Sequence, residues 1–69
     1  MSAYVTWYLV EVPSKSVFLI CKSEAERDKA VADLCRKCVE DERWRVDKPS
    51  INIRVDRHAT GSVMHGRYY

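Results

Sequence analysis

His58 and His65 lie within a short stretch that also holds Arg54, Arg67 and Tyr69. Imidazole is the side chain best suited to move a proton near neutral pH, and a guanidinium or phenol beside it would stabilise a phosphate. Such a set describes a small metal-independent ribonuclease of the toxin kind. No nucleophile, base and orienting group can be placed from the sequence, and exposed strand histidines are common. Hydrolysis of RNA is therefore the third reading of this stretch, behind binding.

Cys35-x-x-Cys38 has the spacing of a redox or zinc pair, but it falls deep in a helical pattern. A reactive pair exploits the positive N-terminus of a helix to lower a thiol pKa, whereas near the C-terminus the dipole acts the other way. Zinc would need two further ligands from Cys21, His58 and His65, whose spacing is irregular. Core packing of small, hydrophobic thiols is the reading adopted. Glycines stand only at 61 and 66, so no glycine-rich phosphate loop is available. The expectation is no metal, no cofactor and no enzyme.

With 69 residues the chain is expected to fold as one domain, 1–69, near the size at which an apolar core barely suffices. Its apolar fraction of 46% against 32% charged is that of a folded chain rather than a disordered one. The three cysteines are an odd number, and Met1-Ser2-Ala3 has no basic or cleavage-site character. Free thiols in a reducing cytoplasm follow, and the apolar runs are too short to span a bilayer. Charge is unevenly spread. Residues 1–42 carry 6 Lys/Arg against 8 Asp/Glu, and residues 43–69 carry 6 against 2. A basic end suits an anionic partner.

The elements that would position these groups are readable. Tyr4 to Val12 and Val17 to Cys21 are rich in β-branched and aromatic residues and flank Pro13-Ser14-Lys15-Ser16, which predicts a β-hairpin. Ser23-Glu24-Ala25-Glu26 is a capping box, followed by Val31, Leu34, Cys35, Cys38 and Val39 as an apolar helical stripe with Ala30 beside it. Trp44 and Val46 then alternate, and Ile51, Ile53 and Val55 alternate with Asn52, Arg54 and Asp56 as a half-buried strand. A Thr60-Gly61 turn would fold the chain back, setting His58 opposite Val63, Asp56 opposite His65 and Arg54 opposite Arg67. The fold class expected is α+β: a single helix packed on a small antiparallel sheet, in the order ββα followed by two or three strands.

Two surfaces stand out on that layout. The terminal hairpin would show Asn52, Arg54, Asp56, His58, His65, Arg67 and Tyr69 to water, with Ile51, Ile53, Val55, Met64 and Tyr68 beneath the helix. Arg54 and Arg67 face to face would repel unless an anion lay between them, and arginine binds carboxylate or phosphate in bidentate fashion. In the first hairpin, Val12 opposite Val17 puts Tyr8, Val10, Val12, Val17, Leu19 and Cys21 on one face. The other face then holds Val5, Trp7, Leu9, Phe18 and Ile20. One helix covers one face, so the second calls for a curled sheet, the C-terminal residues, a second copy of the chain forming a homodimer, or a target protein.

In size and layout (the hairpin Tyr4–Cys21, the helix after Ser23, the strands after Trp44) the chain resembles the small accessory proteins of bacteriophages, anti-CRISPR inhibitors among them. That resemblance implies a protein of the host-cell cytoplasm that blocks a nucleoprotein complex by occupying a surface, and it transfers no site residue. Acid-rich mimicry of nucleic acid fits poorly, because Lys29, Arg36 and Lys37 interrupt the acidic helix. The leading expectation is a non-enzymatic interaction or inhibitor protein. Its contacts would be Arg45, Arg54, Arg57 and Arg67, with Trp44 and Tyr69 as anchors. The alternative is direct DNA or RNA binding by the same face.

Overall fold

The computed structural model describes residues 3–69, leaving Met1 and Ser2 outside the described residues. Strand β1 (Tyr4–Val12) runs through a single 3-10 turn at Pro13–Lys15 into β2 (Val17–Cys21). Ser16 takes a left-handed conformation and its N–H closes the turn on the Pro13 carbonyl at 3.1 Å. Val12 pairs with Val17, Val10 with Leu19 and Tyr8 with Cys21, the register that alternation predicts.

Helix α1 (Glu24–Glu40) starts as its capping box dictates. The Ser23 hydroxyl accepts from the Glu26 N–H, and the Glu26 carboxylate accepts from the Lys22 N–H at 2.8 Å. The packed stripe is narrower than the periodicity suggested. Ala30 and Leu34 are buried, with Val31 and Cys38 packed beside them, while Cys35 and Val39 face water. Each exposed residue sits about 100° round the helix from its buried neighbour, and the two strands beneath are too narrow to reach it.

A second helix, α2 (Glu42–Asp47), stands where alternation of Trp44 and Val46 suggested a strand. Asp41 ends α1 and caps α2, accepting from the Arg43 N–H at 3.0 Å. The turn of helix that follows folds Trp44 back into the core, where it is 5% exposed. Among the described residues there are thus two α-helices rather than one.

The remaining strands also depart from expectation. Strand β3 (Asn52–Ala59) pairs antiparallel with β1 over its whole length, Trp7 opposite Asp56 and Leu9 opposite Arg54. Strand β4 (Arg67–Tyr68) pairs parallel with β2, Leu19 opposite Arg67. The sheet order is β3-β1-β2-β4, so the Thr60-Gly61 hairpin between the last two strands does not form. Ser62 N–H closes a tight turn on the Ala59 carbonyl, and the chain then crosses the sheet face.

That crossing solves the two-faced hairpin. On the helix side, Val10, Val12, Cys21, Ala30, Leu34 and Trp44 form one core. On the other side Trp7, Leu9 and Ile20 are buried, with Val5, Phe18 and Met64 packed on them. Met64 comes from the crossing strap, and Gly66 passes so near that a Cβ there would lie 2.9 Å from Ile20 Cδ1. The residues expected to drive self-association (Val5, Trp7, Leu9, Phe18 and Ile20) are therefore wholly or partly buried by the chain's own C-terminal segment. Ile53 and Val55, expected under the helix, are instead 50% and 55% exposed, because α1 and α2 sit over β1 and β2. Among the described residues no helix is long and apolar enough to cross a membrane.

Candidate functional site

Arg54 and Arg67, expected to face one another, lie at opposite edges of the sheet with β1 and β2 between them. They also point to opposite faces, since Arg54 pairs with Leu9 on the strap side and Arg67 with Leu19 on the helix side. Arg54 is drawn to Glu11 at 3.8 Å and Asp56 at 3.5 Å within its own chain. Arg57 stacks over Tyr4, its carbon 5.5 Å from the ring centre, and Arg45 donates to the Val39 carbonyl. Trp44 is interior. The six residues do not make one basic face.

The histidines are likewise kept apart in role. His58 packs on Trp7 with ring centres 4.8 Å apart, and its buried Nε2 is 3.8 Å from Asp56, beyond hydrogen-bond reach. His65 is exposed on the strap. The Asp56–His65 opposition expected from the terminal hairpin is absent, because β3 pairs with β1 instead. Among the described residues no group of three or more His, Cys, Asp or Glu is arranged to hold a metal ion.

A coherent surface does exist where α1 and α2 meet the β2–β4 edge. Two adjoining clefts, about 290 Å³ and 280 Å³, share Val17, Lys37 and Trp44. One extends past Leu19 and Leu34 to Arg67, Tyr68 and Tyr69, and the other past Lys15 and Arg43. Val17 and Leu19 reach this floor as alternate residues of β2 on the helix face. Lys37 reaches it because it follows Leu34 by three on α1 and so flanks the buried stripe. The rim carries Lys15, Lys37, Arg43 and Arg67, and no Asp or Glu side chain lines either cleft. Lys15 is held by Asp47 at 3.0 Å and Arg43 lies 3.7 Å from Asp41, whereas Lys37 and Arg67 form no ion pair among the described residues. A broader hollow along α1, lined by Asp33, Arg36, Lys37, Glu40 and Asp41, has mixed charge and no apolar floor.

The end of the groove is fastened by its aromatics. The Tyr69 hydroxyl donates to the Asp33 carboxylate on α1, and the Tyr69 N–H donates to the Ile20 carbonyl. That phenol holds the Asp33 carboxyl below the usual carboxylate range, with Arg36 adding to the effect against desolvation. The Tyr69 hydroxyl is raised in turn, first by the same bond. The Tyr68 hydroxyl donates to the Met64 carbonyl at 2.7 Å. Cations cover the other rings: Lys37 lies 5.0 Å from the Trp44 ring and Lys22 lies 4.9 Å from Tyr68.

Of the residues singled out from sequence, the groove gathers Trp44 as floor with Arg67 and Tyr69 on its rim. It leaves Arg45, Arg54 and Arg57 outside its lining. Lys15, Lys37 and Arg43 were missed. Only the spacing of Lys37 from Leu34 gave any hint of it. No protein-family model, curated protein or solved structure matches the chain.

Proposed function

We propose that this protein is a non-enzymatic interaction module whose basic groove takes an acidic segment of a partner protein. The observation that carries the reading is the lining: Lys15, Lys37, Arg43 and Arg67 ring an apolar floor of Val17, Leu19 and Leu34, with no Asp or Glu side chain among the lining residues. A segment with acidic residues flanking a leucine or phenylalanine satisfies both parts at once. Arg67 offers bidentate recognition and Lys37 a point charge with no ion-pair partner among the described residues.

Nucleic acid fits the groove less well. Sequence-tolerant binding of single strands relies on open aromatic faces, yet Trp44 is buried with Lys37 over its ring, and Tyr68 carries Lys22. An inhibitor that occupies an acidic patch of a host nucleoprotein complex, as small phage accessory proteins do, is the more specific form of this reading, supported by layout alone.

Calorimetric titration with a peptide of alternating glutamate and leucine, against a single-stranded RNA oligonucleotide, tests it. The peptide should bind, and Lys37→Glu or Arg67→Glu should each weaken it about tenfold or more. Arg57→Glu, at the opposite edge, should leave affinity unchanged. RNA binding tighter than peptide binding, with a steep salt dependence, would replace the acidic segment by a phosphate backbone. Equal effects from all three substitutions would dissolve the groove into a general charge effect.

A further inference from the structure

We infer that β3 is the interface for a second copy of this chain, forming a two-fold dimer with one continuous sheet. Strand β3 is an edge strand of eight residues, paired with β1 on one side only and in unbroken register from Asn52 to Ala59. Proline and bulges, which keep such an edge from pairing, are absent from β3, and the charges it does carry, Arg54, Asp56 and Arg57, are of both signs.

Backbone direction selects the residues that would pair. Thr60 donates its N–H to the Ala3 carbonyl, so even-numbered residues of this strand turn their amides toward β1. Ile53, Val55 and Arg57 therefore turn theirs outward. An antiparallel copy centred on Val55 joins those three amides to the same three in its partner, Val55 to Val55 and Ile53 to Arg57. In that register Arg54 stands opposite the second copy's Asp56, and Asp56 opposite its Arg54, on the strap face. A shift of two either way sets Arg54 against Arg54 or Asp56 against Asp56, and like charges directly opposite are unfavourable. The helix face of the same strand supplies the apolar contact. Val55, half-exposed in one copy, would meet its counterpart across the axis, with Ile53, also half-exposed, diagonal to it and opposite the second copy's Arg57. The groove lies beside β4 at the far edge, so a dimer would carry two outward-facing grooves, and this inference stands whether or not the groove binds.

Sedimentation from low micromolar to near-millimolar concentration should show a monomer–dimer equilibrium. Arg54→Asp and Asp56→Arg should each weaken dimerisation about tenfold or more, while an equimolar mixture of the two restores it, because each then meets its opposite. The unmodified chain supplies a second readout. Amides of Ile53, Val55 and Arg57 should gain protection from hydrogen exchange as concentration rises, while those of Arg54 and Asp56 are protected throughout. A monomer at all concentrations, free exchange at Val55 in concentrated solution, or variants that fail to complement would each overturn the proposal.

Discussion

Gly66 and Ile20 approach so closely that one side chain excludes the other: a Cβ on Gly66 would lie 2.9 Å from Ile20 Cδ1 and 3.2 Å from Phe18 Cε1. Ile20 is fully buried, so its methyl has little room to yield. Gly66 also has φ +153°, which an L-side chain adopts with strain. This contact lets the strap lie flat on the second core.

Gly66→Ala should therefore destabilise the fold by about 1–3 kcal/mol, through overpacking added to backbone strain. Gly61→Ala is the internal comparison. At φ +91° it carries strain but meets nothing within 4 Å, and should cost about 1 kcal/mol. Urea unfolding of both variants gives the test, and an equal loss at the two positions would mean that the strap does not press on Ile20 in solution.

The link between Tyr69 and Asp33 should make fastening of the C-terminal strand depend on pH at both extremes. Asp33 is depressed below its ordinary 3.8, so its contribution is complete above that value and is lost as pH falls through the folded pKa. Tyr69 is raised above its ordinary 10.0, so its contribution is complete below 10.0 and is lost as pH rises through the folded value. Carbon-detected titration of the Asp33 carboxyl should show its pKa move back toward 3.8 in Tyr69→Phe, stopping short because Arg36 still bonds it at 2.6 Å. Identical titrations with and without the phenol would show that the two elements are not joined there.

The parts of the fold that were legible are those decided within a few residues. Val12 and Val17 flank a proline turn that leaves one register open, and Ser23 and Glu26 cap α1 by contacts four residues long at most. Trp44 and Val46 were ambiguous because two apolar residues in six satisfy either a strand or a turn of helix. The Asp41 cap decides for helix. The terminal hairpin failed for a non-local reason. β3 had two candidate partners, the nearby residues after Gly61 and the distant β1, and β1 offers eight regular positions against a short, irregular run. With that choice the basic face broke up. The groove instead draws on β2, α1, α2 and β4, none of which advertises it alone.

Trp44 is structural in this arrangement. Trp44→Ala should destabilise by about 3–5 kcal/mol, the range for emptying a buried aromatic site. Lys37→Met keeps the stem over the ring and removes only the charge, so stability should change by about 1 kcal/mol or less while affinity for an acidic peptide falls. Thermal unfolding beside the same peptide titration separates the two roles. A Trp44→Ala variant that stays fully stable yet loses binding would return this residue to the surface anchor expected from sequence.

Thiol reactivity should rank the three free cysteines by their depth. Cys35 is exposed on α1, Cys38 is half-buried against the helix-side core, and Cys21 is fully buried at the end of β2. Burial pushes the Cys21 thiol up, Glu26 adds to this and Arg27 opposes it, so little thiolate forms while the site is closed. With an aromatic disulfide reagent, Cys35 should react first, Cys38 more slowly, and Cys21 slower than Cys35 by a factor on the order of a thousand or more, since it must wait for global opening. Adding urea below the unfolding midpoint should accelerate Cys21 far more than Cys35. If Cys21 keeps pace with Cys35 in native buffer, the β1–β2 hairpin is not closed under the helix, and the floor of the groove, which rests on the same strand, goes with it.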